Sequence, residues 1–290
     1  MAAFTIMTDS CCDLTAEMAA ELELEVLPLS LELSGSVFRN FLDGREIGFQ
    51  EFYGRIRKGE AAVTSAVSVG DFEAAMHTVL ERGEDVLCIC FSSALSTTYQ
   101  SAVIAASGLQ ETFPERKIAV VDSLCASMGQ GLLVWLCAQE KKSGKSFQEV
   151  CAFAEEQKGS ICHWFTVDDL YHLKRGGRIS AATAIFGSML SIKPVLHVDA
   201  EGRLVNVDKA RGRKASLLAL VDQMEETAIT PGYQTIFISH GDCLEDAKFV
   251  ASEIRRRFGT QNIHINYVGP VIGSHSGPGT LALFFIGSNR

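Results

Sequence analysis

The chain has 290 residues, 47% of them hydrophobic, and carries 26 basic against 35 acidic side chains for a formal charge of -9. This length suffices for two domains with substantial apolar cores, which excludes a disordered chain. The acidic balance argues against a broad nucleic-acid or anionic-membrane surface, because such surfaces need clustered Lys and Arg that face the phosphates.

Strand and helix patterns alternate in the first half of the chain, which is typical of α/β layering with parallel strands. Short apolar runs that suit strands lie at residues 4–7, 26–33, 86–91 and 118–121. Helical spacing of apolar side chains appears at residues 68–83, 99–107, around 132–136 and at 147–157. Ser68 is a suitable N-cap for the first of these helices, and Gly83 is a suitable stop.

The second half continues the alternation. Strands are predicted at residues 161–167, 194–198, 204–208, 235–239, 263–268 and 281–286. Helices are predicted at residues 214–227 and 245–258 and from Ser180, with a loop over residues 174–178 before Ser180. Residues 199–203 form a predicted hairpin turn with Gly202 where a positive φ is needed. A composition shift at residues 141–145 and the helix after it place the domain boundary near residue 158, so we expect two α/β domains, 1–158 and 159–290.

The nine cysteines do not have the spacing of a disulfide framework or a zinc site. Most of them lie in apolar runs, where a reduced cysteine behaves as a small hydrophobe. The N-terminus lacks the basic region of a signal peptide, and no apolar run approaches the ~18 residues of a membrane span. We therefore expect a cytoplasmic protein with no metal and no other cofactor.

Three hydroxyl-rich segments lie where an open α/β sheet usually places its ligand, between the carboxyl end of a strand and the next helix. They are residues 64–68, residues 92–98, and Asp122 and Ser123 with Ser127. Hydroxyls and free amides at helix N-termini attract anions, and none of these segments contains Lys or Arg. Neutral donors favour a single carboxylate over a di- or triphosphate, which usually recruits basic side chains or a metal. Any one of these hydroxyls taken alone is most simply explained as a helix cap. Three such segments at equivalent places are therefore better evidence for a ligand site than a single residue is.

The C-terminal stretch 269–279 contains four glycines and two prolines around His275. This composition predicts a rigid loop that allows close backbone approach. A histidine in such a loop can donate to a carboxylate or act as a base. The other six histidines fall in predicted helices or strands, and we interpret them as packing or surface residues.

Seven motifs occur in a fixed order along residues 4–287. They are Thr8-Asp9-Ser10, Thr64-Ser65 with Ser68, Ser92-Ser93-x-Leu95-Ser96, Asp122-Ser123, Leu173-Lys174-x-Gly176-Gly177-Arg178, Lys193-Pro194 and the His275 segment. In order and spacing they resemble the DegV family of bacterial fatty-acid-binding proteins. Each motif is weak alone, but the ordered set covers essentially the whole chain and is highly specific.

The resemblance implies two α/β domains that hold a long-chain fatty acid, palmitate-like or oleate-like, between them. It implies that Thr64 and Ser96 hydrogen-bond the carboxylate, with His275 as a further donor and with Ser65 and Thr97 in the same site. Related proteins are the non-catalytic binding subunit of a fatty acid kinase in phospholipid synthesis, in which a separate ATP-binding subunit phosphorylates the carboxylate to an acyl phosphate. Arg178 is implied at the surface near the pocket mouth, where it meets this kinase subunit.

Two positions depart from the family's pattern, Val67 where the family commonly has Pro and Thr97 where it commonly has Gly. Thr97 brings a β-branched side chain next to Ser96, which restricts the turn or adds a hydroxyl to the head-group site. The acyl chain length and saturation therefore stay open.

Other functions remain open at this stage. A serine hydrolase would use Ser96 as nucleophile, His275 as base and Asp122 or Asp9 to orient the base, although Ser96 does not lie in a G-x-S-x-G elbow. A nucleotide-binding enzyme is disfavoured because the phosphate-binding glycine motifs are missing from the sequence. A carrier of another apolar carboxylate is a third alternative.

Overall fold

The computed structural model describes residues 3–179 and 192–288. Its strands are β1 (Phe4–Asp9), β2 (Glu25–Leu27), β3 (Ser30–Leu33), β4 (Ser36–Arg39), β5 (Ala62–Ser65), β6 (Asp85–Cys90), β7 (Ile118–Asp122), β8 (Ile161–Thr166), β9 (Ile192–Val198), β10 (Leu204–Arg211), β11 (Ile236–His240), β12 (Ile263–Tyr267) and β13 (Leu281–Ile286). Its α-helices are α1 (Ala16–Glu21), α2 (Phe49–Arg57), α3 (Val69–Glu81), α4 (Thr98–Thr112), α5 (Met128–Lys142), α6 (Phe147–Gln157), α7 (Tyr171–Arg175), α8 (Arg213–Thr227), α9 (Leu244–Phe258) and α10 (Pro270–Ser276). The predicted α/β class is confirmed.

The first sheet is parallel throughout, as the alternating pattern predicts. Its strands lie in the order β2-β1-β6-β7. Every residue of β1 and β6 is buried, because apolar clusters that include helix residues cover both faces of the sheet.

The second sheet has the order β10-β9-β8-β13-β11-β12, and among these strands only β11 and β12 pair in parallel. The expectation of parallel strands is therefore wrong for this sheet. The predicted turn at residues 199–203 folds β10 back onto β9, and the C-terminal strand β13 returns between β8 and β11. A short turn can join only antiparallel strands, which explains the pairing of β9 with β10. Strand β13 runs antiparallel to both of its neighbours, β8 and β11.

The apolar run over residues 26–33 is divided between two sheets. Its first part lies in β2, and its second part lies in β3, the middle strand of an antiparallel sheet with the order β4-β3-β5. Pro28 separates the two parts and has no N–H to give to a ladder. The amide of Leu29 donates to the Ser10 hydroxyl instead, at 3.0 Å. The break brings β5, and with it Thr64, next to the first sheet's carboxyl edge.

Where the sequence pattern predicts helices in the described residues, the observed helices lie close to the predicted positions. The predicted helix over residues 147–157 matches α6 at both ends, and Ser68 caps α3 by accepting from the amide of Asp71 at 3.1 Å. The loop predicted over residues 174–178 is helical at its first two residues, since α7 extends to Arg175. The helix predicted from Ser180 lies outside the described residues.

The segment around His275 is not the rigid loop that its composition predicts, because residues 270–276 form α10. Pro270 stands at the start of this helix, where a missing N–H costs nothing, and Gly277 follows its end with φ +80°. Proline at the start and glycine after the end are the usual boundaries of a short helix.

Several sequence expectations concern bonds and boundaries between elements. The boundary near residue 158 coincides with a short 3₁₀ helix, Lys158–Ser160, and the division into two domains stays a prediction. None of the nine cysteines, all of which lie in the described ranges, forms a disulfide. In the described ranges, no helix is long and apolar enough to cross a membrane, and no group of three or more His, Cys, Asp or Glu side chains is arranged to hold a metal ion.

Helix α5 joins the two larger sheets. It packs against β1 and β6 of the first sheet and against β8, β11 and β13 of the second. Residues 128–134 are all buried, as expected of a helix with apolar neighbours on every side. One continuous apolar cluster runs through it from Ile6 and Leu87, by way of Leu132, to Phe165 and Phe284.

Two glycines allow α5 to lie this close to both sheets. A Cβ at Gly131 would come within 2.5 Å of the carbonyl oxygen of Cys12, just after β1. A Cβ at Gly129 would overlap the imidazole of His163 in β8. The separation of the sheets therefore depends on the absence of side chains at these two positions.

Gly131→Ala is expected to lower the free energy of unfolding by about 1–3 kcal/mol, because the added methyl group meets a backbone carbonyl in a packed interior. Gly108→Ala is the matched control, since the Cβ position of this α4 residue faces open space. Alanine there should raise the stability by up to about 1 kcal/mol. Urea denaturation measures both variants, and a stabilised Gly131→Ala protein would contradict this account of α5.

Candidate ligand-binding site

A cavity of about 420 Å³ lies between the first and second sheets. Its volume falls in the range of small-molecule sites. Most of its wall is apolar and comes from both halves of the chain; examples are Phe91, Phe165, Leu173, Val198, Val271 and Phe284. Thr64, Ser65, Ser96, Thr97, His275 and Arg178 also line it, so the fold brings all the sequence-predicted site residues to one cavity.

Thr64 and His275 form a hydrogen-bonded pair. Thr64 lies in β5, His275 lies near the end of α10, and 2.8 Å separates Oγ1 of Thr64 from Nε2 of His275. The two residues are 211 positions apart in the chain, and the packing of α10 against β5 brings them together.

The imidazole of His275 is neutral near pH 7. Burial, with smaller contributions from the cations of Arg178 and Arg175, lowers its pKa to about 4. Its Nδ1 is buried without a hydrogen-bond partner among the described residues, and a Cβ at Gly176 would overlap this atom. Since an N–H at Nδ1 would have no acceptor, the ring proton lies on Nε2 and is donated to Thr64. The hydroxyl hydrogen of Thr64 is then free to be donated into the cavity.

Ser96 lies at the N-terminal end of α4. Its Oγ accepts from the amide of Thr98 at 3.2 Å and lies 2.9 Å from the Thr98 hydroxyl. Helix α4 has 15 residues, and its N-cap residue, Thr97, makes no side-chain capping bond. Unpaired amides at the start of a helix of this length favour an anion beside Ser96.

Ser65 and Thr97 are the outer members of the set. Ser65 follows Thr64 in β5, so its side chain points to the opposite face of the strand, and it is exposed. Thr97 is exposed as well. Both residues therefore belong to the rim of the cavity.

Three other hydroxyls of the three segments serve the fold. Ser68 caps α3, the Ser92 hydroxyl donates to the carbonyl of Gly202 at 2.9 Å, and Ser123 accepts from the amide of Cys125 at 3.0 Å. None of these three is among the described residues that line the cavity. Helix capping and turn formation are thus the correct interpretation for them.

Arg178 changes the expected charge of the site. Its guanidinium donates to the carbonyl of Leu95 at 3.3 Å and to that of Gly176, and burial lowers its pKa. The guanidinium is half-buried and lines the cavity. The hydroxyl segments contain no cation, as the sequence shows, and Arg178 adds one to the cavity lining from elsewhere in the chain.

Within the described residues the parts of a serine hydrolase are not assembled. Ser96 bonds Thr98 and His275 bonds Thr64, and no hydrogen bond in this part of the chain joins Ser96 to His275. The Asp122 carboxylate accepts the amides of residues 93 and 124, and the Asp9 carboxylate accepts those of residues 91 and 11. Neither carboxylate orients His275.

A second polar group at the cavity was missed by sequence reasoning. Ser127 and Ser239 both line the cavity, their hydroxyl oxygens are 2.9 Å apart, and Ser127 also bonds the buried carboxylate of Asp13 at 2.5 Å. Ser276, next to His275, is buried with no partner for its hydroxyl among the described residues. Ser127 belongs to one of the three hydroxyl-rich segments, so the sequence did point to it. Ser239 lies inside strand β11, and no motif distinguishes it.

Comparison with known proteins gives a consistent match along the whole chain. Residues 3–288 match a family model described as "Uncharacterised protein, DegV family". A DegV domain-containing protein of Clostridium perfringens, CPE0026, is 45% identical over 290 residues, which are 100% of this chain and 99% of that protein.

Two solved structures are similar in sequence and in fold. One, described as fatty acid binding of a DegV family protein from Thermus thermophilus, is 32% identical with a TM-score of 0.86 and covers 97% of this chain and 98% of that one. The other, a DegV family protein from Ruminococcus gnavus refined with vaccenic acid, is 25% identical with a TM-score of 0.86 and covers 97% and 99%.

The buried neutral histidine predicts a specific acid sensitivity. In the unfolded chain His275 takes up a proton near its ordinary pKa of 6.5, whereas in the folded protein it stays neutral down to about 4. Between these values the unfolded state binds more protons, so the contribution of His275 to stability is complete above pH 6.5 and is lost as the pH falls toward 4.

His275→Gln removes this proton uptake. The wild-type protein should therefore lose stability relative to the variant as the pH falls through this window. Urea denaturation of both proteins at several pH values measures the difference. A difference that does not change with pH would show that the imidazole is not held neutral.

Proposed function

This chain belongs to the DegV family, and we propose that it binds a long-chain fatty acid in the cavity, with the carboxylate at Thr64, Ser96 and His275. The observation that carries the proposal is an apolar cavity lined by two hydroxyl donors, a neutral histidine and one half-buried cation. Fatty acid binding by a solved relative, the Thermus thermophilus protein, supports it.

The head group is recognised by donors of defined direction. His275 keeps its Nε2–H on Thr64, so the Thr64 hydroxyl donates to one carboxylate oxygen. Ser96 accepts the Thr98 amide, and with the Thr98 hydroxyl donating to it as well, its own hydroxyl hydrogen is available for the ligand. The guanidinium of Arg178 offsets the carboxylate charge, and Ser65 and Thr97 border the entrance. Charge-assisted bonds of this kind are stronger than neutral ones.

The acyl chain supplies most of the affinity. Burial of a CH₂ contributes about 0.8 kcal/mol, so a chain of about sixteen carbons contributes about 12 kcal/mol before ordering costs. The head-group bonds then need only select a carboxylate and fix its position.

The chemistry at the carboxylate belongs to a partner. We propose that an ATP-binding kinase subunit docks at the Arg178 end of the cavity. A carboxylate oxygen attacks the γ-phosphorus of ATP, ADP leaves, and an acyl phosphate forms for phospholipid synthesis. In this scheme the present chain is the non-catalytic binding subunit. Nine cysteines that form no disulfide suit a reducing compartment, so we infer a cytoplasmic location.

Fatty acid binding is tested by denaturing the purified protein and identifying the released molecules by mass spectrometry, and by titration with palmitate and oleate. Thr64→Val and Ser96→Ala should each weaken binding by about tenfold, because each removes a hydrogen bond to a charged group. Ser68→Ala is the matched control: it removes a hydroxyl four residues after Thr64 that caps α3 outside the cavity. This control should cost about 1 kcal/mol of stability and leave affinity unchanged.

Failure to release a stoichiometric fatty acid, together with failure to bind added palmitate or oleate, would contradict the proposed function. Release of a different apolar carboxylate would keep the site and change the ligand. Hydrolysis of p-nitrophenyl esters that Ser96→Ala abolishes would favour a hydrolase instead.

The kinase partnership is tested by measuring acyl phosphate with an ATP-binding fatty acid kinase subunit at saturating fatty acid. Arg178→Gln should lower the rate at least about tenfold, because the guanidinium offsets charge that accumulates as phosphate approaches carboxylate. Arg257→Gln is the control, since this arginine is paired with Asp222 and Glu225 outside the cavity. An unchanged rate in Arg178→Gln would exclude this role.

A further inference from the structure

Asp13 joins two helices that border the cavity. It follows β1, is buried, and has a left-handed backbone with φ 51°. Its Oδ1 accepts the amide of Gly269 at 3.0 Å, and its Oδ2 lies 2.5 Å from the hydroxyl of Ser127. Gly269 is the N-cap residue of α10, and Ser127 is the N-cap residue of α5. One carboxyl group therefore binds the first residue of both helices.

The contact between Asp13 and α10 is tight. A Cβ at Gly269 would lie 2.5 Å from Oδ1 of Asp13, so only glycine fits here without displacement. The carbonyl of Asp13 also accepts the side-chain amide of Asn266 at 2.9 Å, just before α10. The hydroxyl of Tyr53 donates to the carbonyl of Val268 at 2.8 Å. These bonds hold the residues that lead into α10.

The position of His275 depends on this end of α10. Six residues separate Gly269 from His275 along the helix, a distance of about 9 Å at about 1.5 Å per residue. A small tilt at Gly269 therefore moves the imidazole relative to Thr64. Their hydrogen bond is 2.8 Å long and does not tolerate a displacement of 1 Å.

We propose that Asp13 is a positioning residue for the head-group site: it holds the start of α10 and thereby keeps His275 in hydrogen-bonding distance of Thr64. The inference rests on the proposed function in so far as the Thr64 and His275 pair receives a carboxylate. Asp13 itself contacts no part of the ligand in this scheme.

An asparagine should replace Asp13 well. Burial raises the pKa of Asp13 to about 8, so its carboxyl group holds a proton over much of the neutral range. The carbonyl oxygen of an Asn side chain can accept the Gly269 amide, and its NH₂ can donate to Ser127. Alanine can do neither.

The test combines palmitate affinity with NMR of histidine-labelled protein, in which His275→Gln identifies the His275 ring signal. Asp13→Ala should weaken palmitate binding at least about tenfold and shift the His275 signal, because a bond from an amide to a buried carboxyl group is lost. Asp13→Asn should bind within about threefold of wild type and keep the signal. If Asp13→Ala acted only by lowering stability, neither the rescue of affinity by Asp13→Asn nor the shift of the His275 signal would be expected.

Asp85→Ala is the matched control. Asp85 at the start of β6 is also buried and accepts a backbone amide, that of Lys117 at 3.0 Å, but neither of these residues lines the cavity. This variant should keep wild-type affinity and the wild-type His275 signal. If Asp13→Ala does not fold, Gly269→Ala replaces it, because the new methyl group separates α10 from an intact Asp13.

The outcomes separate the two proposals. A wild-type protein that binds neither palmitate nor oleate refutes the proposed function, while the His275 signal still tests the positioning by Asp13. Palmitate binding and a His275 signal that are both unchanged in Asp13→Ala or Gly269→Ala would refute the positioning role. Equal losses in Asp85→Ala would also refute it, because the effect would then be general.

Discussion

The burial of α5 between the two larger sheets is the constraint on which the rest of the molecule depends. The helix is buried on all sides at its N-terminal half and shares one apolar core with β1, β6, β8 and β13. Gly129 and Gly131 set how closely the sheets approach it. The cavity lies beside the start of this helix, between the same sheets, so its width follows from the same packing. Stability and ligand binding therefore share one structural element.

Burial also decides the charge of the head-group site. Removal from water keeps His275 neutral, which makes it a directional donor to Thr64 and not a cation. The positive charge comes from Arg178, whose guanidinium is tied to the carbonyls of Leu95 and Gly176. Gly176 lies against the imidazole as well, so a single glycine of the Gly-Gly-Arg motif allows both groups to be near the cavity. A carboxylate thus meets hydroxyl donors and one cation in a mostly apolar cavity.

Hydroxyl side chains in similar sequence settings have different roles because they point in different directions in the fold. Thr64, Ser96 and Ser127 line the cavity, whereas Ser68, Ser92 and Ser123 complete helix caps and turns. All lie near the carboxyl ends of strands, where both roles are common. The direction of each side chain depends on neighbouring elements that are distant in sequence. The 199–203 hairpin, for example, brings the carbonyl of Gly202 to Ser92.

The α/β class, the family and most helix and strand positions could be predicted from local periodicity and from motifs in a fixed order, and the resemblance supplied Thr64, Ser96 and His275 as candidate site residues. The mostly antiparallel second sheet, the helical form of residues 270–276 and the contact of Asp13 with Gly269 across 256 positions of the chain became evident only in the folded structure. Contacts of this kind depend on how sheets and helices pack, and no local pattern of residues records which distant partner a side chain will meet.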